Sequence, residues 1–204
     1  MLEALDLAAR RGLARLFSGL SFRIESGQAL VVTGANGTGK TTLLRMLAGL
    51  SMPSDGQIRW NRVAVAPFSP AVRAEVAFAG HLPALKDELS AEENLGSMVA
   101  LAGATVSRDA MLRSLDGVGL LRQRSLPARV LSQGQRRRIG LARLTLYARP
   151  LWILDEPVTA LDGSGAALLS QMITGHLEAG GLVVAATHAP LDLPATRVRS
   201  LNLA

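Results

Sequence analysis

The sequence predicts an α/β fold in which helices alternate with the strands of a buried parallel sheet. Segments at residues 30–33, 151–154 and 182–187 have strand length and are uniformly apolar, as strands covered on both faces are. Segments with helical spacing lie between them. A glycine-rich loop also follows the first strand and opens a helix, which is the setting of phosphate-binding loops.

The elements near the glycine-rich loop are predicted from local patterns. A helix is expected over residues 39–49, where apolar residues recur at helical spacing and a glycine stands near the end. Residues 53–56 have the composition of a turn. Further strand positions are expected at Ile58, Trp60, Val63 and Val76–Ala79. The order strand, loop, helix is therefore predicted around the loop.

The middle of the chain predicts a helical insert. From residue 90 to about residue 129, leucine, alanine and charged residues dominate at helical spacing. Two more helices are predicted over residues 133–147 and 165–179, and the last one separates two of the apolar strands. We interpret the helical region as an insertion between two parts of an α/β core.

Length and composition limit the possible domain organisation of the chain. The 204 residues fit one domain, with a core at about 1–82 and 145–204 and a helical subdomain at about 83–144. The chain has no cysteine, which excludes disulfides and thiol chemistry. No apolar run approaches the ~20 residues of a membrane helix, and the N-terminus has no signal-peptide pattern. We therefore expect any membrane association to go through a partner.

The net charge of +6 raises the question of nucleic-acid binding. The arginines are scattered, aromatic residues make up only 3%, and the sequence shows no stacking platform for bases. We expect no direct binding of nucleic acid.

The glycine-rich loop predicts a site for a nucleoside triphosphate. Glycines let the backbone approach phosphates, and inward amides with a helix N-terminus favour negative charge. Lys40 is expected to reach the β- and γ-phosphates, the Thr41 hydroxyl to ligate Mg²⁺, and Thr42 to donate to the α-phosphate. The predicted nucleotide-binding residues are Gly34, Ala35, Asn36, Gly37, Thr38, Gly39, Lys40, Thr41 and Thr42.

Two carboxylates end the strand at residues 151–154 and are predicted to reach the carboxyl edge of the sheet. Asp155 is expected to hold Mg²⁺ through its water shell, since this ion keeps several waters. Glu156 is expected to orient, or to deprotonate, the attacking water. The alternative is a pair of surface acids at a strand end, which the nearby phosphate loop disfavours.

The segment at residues 131–135 precedes a predicted helix and is a second candidate phosphate contact. The Ser132 hydroxyl, the Gly134 amide and the helix N-terminus suit a γ-phosphate. The alternative is a plain helix N-cap by Ser132, with Gln135 completing a capping box. Both can hold, because the cap aims the amides. The predicted signature residues are Ser132, Gln133, Gly134 and Gln135.

These motifs, in this order and over nearly the whole chain, resemble the ATP-binding-cassette (ABC) ATPases. The resemblance implies a P-loop NTPase fold with a RecA-like core, a small antiparallel β region and an inserted helical subdomain. It implies a homodimer with two ATP sites, in which the signature segment of one subunit closes over the ATP of the other. Asp162 would lie in the loop that crosses the interface. Glu156 and His188 would be catalytic, with His188 contacting the γ-phosphate.

A lone histidine at a strand end is often merely structural, so that alternative stays open for His188. His81 and His176 have less support, and His176 is expected on a solvated helix face. Within the three neighbouring arginines at residues 136–138, side chains differ by ~100° in direction. One could meet phosphate or an interface acid, but a partly solvated helix is favoured.

A finer resemblance rests on three stretches, residues 80–95, 131–144 and 151–157. They resemble the CcmA family, the ATPase subunits of cytochrome c biogenesis once called haem exporters. That implies a peripheral protein on the cytoplasmic face of a bacterial inner membrane, with integral membrane subunits of the CcmB type and CcmC nearby. ATP hydrolysis would then drive release of a haem-loaded chaperone. The alternatives are another small exporter ATPase, a soluble cassette acting on ribosomes or DNA, and a nucleotide sensor; Glu156 argues against the sensor.

Two positions depart from the cassette pattern. Leu82 stands where cassettes usually place a glutamine, and leucine cannot ligate Mg²⁺ or position water; His81 beside it could compensate in part. Residues 8–12, upstream of the phosphate loop, lack the aromatic that stacks on adenine. An arginine there could stack on the base, while Phe17 is expected in the core.

Overall fold

The structure is a computed structural model and describes residues 1–203. A five-stranded parallel sheet forms the centre of the molecule. The strands are β3 (Ala29–Gly34), β6 (Val76–Ala79), β7 (Leu151–Asp155), β8 (Leu182–Ala186) and β9 (Val198–Leu203). Their order in the sheet is β6-β7-β8-β3-β9, and every pairing is parallel. The predicted strands of the core are therefore all present, and β9 was not among the predictions.

The sheet is covered on both faces, which explains its uniformly apolar strands. On one face, Ile153 and Val184 pack with α1 (Lys40–Leu47) and with the second sheet. On the other, Leu154 and Val183 pack against α6 (Gly163–Glu178). Alternate residues of one strand thus enter two different cores.

A four-stranded antiparallel sheet lies on the α1 side of the core. Its strands are β1 (Leu2–Arg11), β2 (Ala14–Ile24), β4 (Asp55–Trp60) and β5 (Val63–Ala64), in the order β2-β1-β4-β5. Ile58, Trp60 and Val63 lie in β4 and β5, as predicted. The long hairpin β1–β2 was not predicted. Register shifts interrupt its pairing, which removes the simple alternation that would mark it in the sequence.

The helical region has its own apolar cluster. Helices α3 (Ala91–Leu101), α4 (Arg108–Gly117) and α5 (Gln133–Ala142) supply most of it, including Leu95, Leu115 and Ile139. A short helix α2 (Pro70–Glu75) precedes β6. The predicted helix 133–147 ends earlier, at Ala142, and a 3₁₀ turn follows at Arg143–Thr145. The predicted subdomain limits, about 83 and 144, stay a prediction.

His176 does not lie on a solvated face, and that prediction is wrong. Its ring stacks on Trp152 with centroids 3.9 Å apart and planes at 8°, and Nε2 lies 3.2 Å from the Pro150 carbonyl oxygen. Burial lowers the pKa of His176, because the charged form loses hydration.

None of the helices within residues 1–203 combines the length and apolarity that crossing a membrane requires.

Candidate nucleotide site

The phosphate loop joins β3 to α1 through backbone conformations that glycine adopts most readily. Gly34 has φ +140° and Gly39, the residue before α1, has φ +105°. A Cβ at Gly34 would collide with the Leu203 carbonyl oxygen of β9, and one at Gly39 would lie 3.1 Å from Phe17. The loop is therefore held closely from both sides, with no side chain between its backbone and a ligand.

Lys40 is buried at the first position of α1, with 8% of its surface exposed. Its ammonium donates to the carbonyl oxygens of Gly34 at 2.7 Å and Ala35 at 3.0 Å. Ion pairs among residues 1–203 do not include it. A buried cation with only carbonyl partners favours an anion beside it, as the predicted contact with phosphates requires.

Thr41 and Asp155 meet at the predicted metal position. The Thr41 hydroxyl donates to Asp155 Oδ2 at 2.9 Å, and Asp155 is buried at the end of β7. Within residues 1–203, neither this position nor any other has a group of three or more His, Cys, Asp or Glu side chains that could hold a metal ion. One hydroxyl and one carboxylate fit Mg²⁺, which takes few protein ligands and completes its shell with water and phosphate oxygens.

Glu156 follows with the left-handed backbone angle φ +47°, and its amide donates to the Ala186 carbonyl at 2.8 Å. This conformation is uncommon outside glycine and is maintained only where the surroundings fix it. Glu156 Oε1 lies 3.5 Å from His188 Nε2, which is 3.1 Å from Asn36 Oδ1 of the phosphate loop. The structure thus brings together both predicted catalytic residues and the loop.

A cleft of about 300 Å³ lies between the phosphate loop and the carboxylates Asp155 and Glu156. Besides phosphate-loop residues and both carboxylates, it is lined by Arg11, Leu16 and His81. Leu82 instead lines a separate cavity of about 230 Å³ with Pro83 and Met98, and is 79% exposed. The side of the strand end that faces the cleft is therefore occupied by His81. Phe17 is buried in the core, as predicted.

Ser132 caps α5 and forms the capping box that the alternative interpretation described. The Gln135 amide donates to Ser132 Oγ at 3.2 Å, and the Ser132 amide donates to Gln135 Oε1 at 2.9 Å. Ser132 and Gln133 are exposed. A Cβ at Gly134 would lie 2.9 Å from the Ala160 carbonyl oxygen, so the signature segment packs directly on the loop that leads to Asp162.

Asp162 caps α6 and accepts from the Gly165 amide at 2.8 Å. That backbone hydrogen bond is the main cause that lowers the pKa of Asp162, and hydrogen bonds from Ser164 and Arg138 act in the same direction. Arg138, on α5, pairs with Asp162 at 3.0 Å. One arginine of the run thus meets the predicted interface acid.

Arg137 is the site residue that the sequence did not reveal. It is buried, with 5% exposure, so the favoured interpretation of a partly solvated helix is wrong at this position. Its guanidinium donates to five backbone carbonyl groups, those of Gly80, His81, Asp155, Glu156 and Pro157. Burial lowers the pKa of Arg137, and the charges of Asp155 and Glu156 oppose that shift.

Comparison with known proteins decides the family. The profile of the ABC transporter family matches residues 17–159. This chain belongs to the ABC transporter family. The cassette resembles the cytochrome c biogenesis ATP-binding export protein CcmA of Dechloromonas aromatica, with 46% identity over 203 residues, 100% of both proteins.

Solved structures agree with this assignment of the cassette. A putative ABC transporter ATP-binding protein from Pyrococcus furiosus superposes with a TM-score of 0.85 at 27% identity, covering 99% of this chain and 96% of that one. A dimeric cassette bound to ADP and Pi gives a TM-score of 0.79 at 22% identity, covering 93% and 88%, and shows the common fold. The predicted ABC-type fold is confirmed. The chain is a CcmA-like ABC ATP-binding protein and an ATPase.

Proposed function

We propose that this chain is the ATP-hydrolysing subunit of a membrane complex of cytochrome c biogenesis, acting as a homodimer. The arrangement that carries the proposal is the cleft in which Lys40, Thr41 and the adjoining carboxylates Asp155 and Glu156 meet. Similarity over the full length to a cytochrome c biogenesis ATP-binding export protein supports the choice of pathway.

Within one subunit, the residues divide the reaction among them. The phosphate loop binds the triphosphate, and Lys40 exchanges its carbonyl partners for β- and γ-phosphate oxygens. Thr41 would hold Mg²⁺ directly and Asp155 through water, and the bound ion would supply positive charge beside the phosphates. Glu156 accepts a hydrogen bond from the attacking water and takes its proton. His188, beside Glu156 and Asn36, donates to the γ-phosphate.

The second subunit completes the site. Ser132 and Gly134 lie at an exposed helix N-terminus, whose amides favour a negatively charged group. The residues that line the cleft, within the described chain, do not include this segment. We infer that it contacts the γ-phosphate of ATP held by the other copy, with Asp162 at the interface between the two.

The membrane partners are assigned from the same relationship. Attachment at the cytoplasmic face of the inner membrane would be peripheral, through integral subunits of the CcmB and CcmC type, as the similarity to the CcmA export protein suggests. Hydrolysis would then drive release of the haem-loaded chaperone. We further propose that residues 83–144 form a helical subdomain that contacts these partners.

Substitution Glu156→Gln tests the proposal, because the amide keeps the shape of the side chain but cannot accept the proton. We expect ATP binding within about twofold of wild type, a kcat at least about 100-fold lower, and an ATP-dependent dimer by size-exclusion chromatography. Turnover is measured in membranes that contain the complex and with the purified chain.

The matched control is Glu178→Gln, an exposed acid at the end of α6 that lies outside the site and outside residues 83–144, and it should keep the wild-type rate. A wild-type rate in Glu156→Gln would contradict the assignment of the hydrolytic carboxylate. Affinity purification of the chain from membranes tests the pathway: integral membrane proteins that handle haem support it, and ribosomes in their place contradict it.

A further inference from the structure

We propose that Arg137 is a positioning residue that fixes Glu156 for catalysis and links it to the signature segment of the same subunit. The inference rests on the proposed function, because it concerns how the hydrolytic carboxylate is held. It assigns a role to a side chain that does not line the nucleotide cleft and whose hydrogen bonds all go to backbone carbonyl groups.

All five guanidinium N–H groups of Arg137 have an acceptor. Nη1 donates to the carbonyl oxygens of Gly80 and His81, both at 2.8 Å. Nη2 donates to those of Asp155 at 2.9 Å and Glu156 at 2.8 Å, and Nε to that of Pro157 at 3.4 Å. Guanidinium is planar and rigid, so the ends of β6 and β7 are held at one fixed spacing.

The carbonyl of Glu156 is the acceptor with the most direct effect on chemistry. Glu156 adopts φ +47°, a conformation that is costly for a non-glycine residue and persists only where the surroundings fix it. The Glu156 amide is fixed by the Ala186 carbonyl at 2.8 Å, and Arg137 fixes the carbonyl on the other side. With both ends of the residue bound, the direction of its side chain toward His188 and the cleft is set.

Arg137 also connects this arrangement to the N-terminus of α5. Ser132 caps the helix and Arg137 lies within it, about 7.5 Å along its axis. A displacement of α5 when Ser132 meets the partner's ATP would therefore move the guanidinium and its five carbonyl partners. The same contact reaches Gly80 and His81, directly before Leu82, where this chain lacks the usual glutamine. Arg137 thus connects the helical region to the catalytic strand ends without that glutamine.

The test is Arg137→Lys, which keeps the charge but has three donors on a flexible stem and cannot hold five carbonyl groups. Arg136→Lys is the matched control, because Arg136 is the neighbouring residue and pairs with Asp87 on the surface at 2.6 Å. For both variants, kcat, the equilibrium ATP dissociation constant and thermal unfolding are measured on the full chain.

We expect Arg137→Lys to fold, to bind ATP within about twofold of wild type, and to lose about 10-fold to 100-fold in kcat, since a small displacement of a catalytic group is costly. Arg136→Lys should change neither kcat nor binding by more than about twofold. A wild-type kcat in Arg137→Lys would overturn the inference. So would a variant that fails to fold or loses ATP binding in proportion to turnover, because Arg137 would then be merely structural.

The result separates this inference from the proposed function. If Glu156→Gln abolishes turnover while Arg137→Lys keeps it, only the positioning role fails. If Glu156→Gln hydrolyses ATP at the wild-type rate, the assignment of the carboxylate fails first, whatever Arg137→Lys does.

Discussion

Two parts of the site differ in how their polar groups are satisfied. The nucleotide half, which we define as the phosphate loop with Asp155, Glu156 and His188, has contacts across the sheet edge, such as Thr41 with Asp155. The signature half is defined as residues 131–135 with Asp162. Its Ser132, Gln133 and Asp162 are exposed, and Ser132 and Asp162 form helix caps within the chain.

The difference shows what each half still requires. In the nucleotide half, a buried ammonium has no carboxylate partner among residues 1–203, so an anion completes it. In the signature half, Ser132 and Asp162 already accept hydrogen bonds from amides of their own helices, and those caps fix the local backbone. This contrast fits our proposal that the first half binds a ligand and the second contacts a partner subunit.

The largest effect that separates the two halves is expected for Lys40→Met. Loss of charge-assisted hydrogen bonds, each worth about 1.5–3 kcal/mol, should weaken ATP binding by about 10-fold to 100-fold. Equilibrium binding of a fluorescent ATP analogue measures it. Lys86, the only other lysine, is exposed, so Lys86→Met should bind normally. Equal loss in both variants would show that charge alone, rather than the loop, determines affinity.

An intermediate effect is expected for Ser132→Ala, in turnover and not in binding. Loss of the cap should cost about 1 kcal/mol, and Tm should fall by about 2–4 °C. Loss of a phosphate contact from the second subunit should lower kcat about 10-fold, with ATP affinity of the monomer unchanged.

Ser90 provides the control for Ser132, because it caps α3 with the same kind of capping box. Ser90→Ala should show the same fall in Tm and a wild-type kcat. If both variants lose turnover to the same extent, the effect of Ser132 comes from helix capping, and the signature half would not contact nucleotide.

The smallest effect concerns stability at acid pH and comes from a residue outside both halves of the site. His176 has a lowered pKa through burial, so the unfolded chain binds the proton more tightly. The free energy of unfolding should therefore fall as pH drops below about 6.5. We expect Tm to decrease less between pH 7.5 and 5.5 in His176→Gln than in wild type. Identical slopes would contradict the prediction.

The core of the fold could be predicted because burial on both faces leaves a simple pattern. Strands β7 and β8 are buried at every position and read as uninterrupted apolar runs. The hairpin β1–β2 could not be predicted in the same way. Asp6 adopts φ +47° within β1, and the shifted register breaks the alternation of polar and apolar residues.

The sequence predicts which residues form the nucleotide half, since glycines, Lys40 and the carboxylates owe their positions to local backbone geometry; their roles in binding and hydrolysis stay predictions. Arg137 could not be predicted, because its partners are carbonyl oxygens, which every residue carries and no sequence pattern marks. The different surroundings of the neighbours His81 and Leu82 could not be predicted from the sequence either: His81 lines the cleft, and Leu82 lines a separate cavity.

The pairing of Gly34 with Leu203 in β9 has a consequence for synthesis. The phosphate loop emerges from the ribosome before the strand that lies against it, because the whole segment from Ala35 to Arg197 separates the two. At about 5–20 residues per second, the delay is roughly 10–30 s. During that interval β3 has no neighbour on that side. The phosphate loop thus gains the strand that lies against Gly34 only after the helical region has emerged.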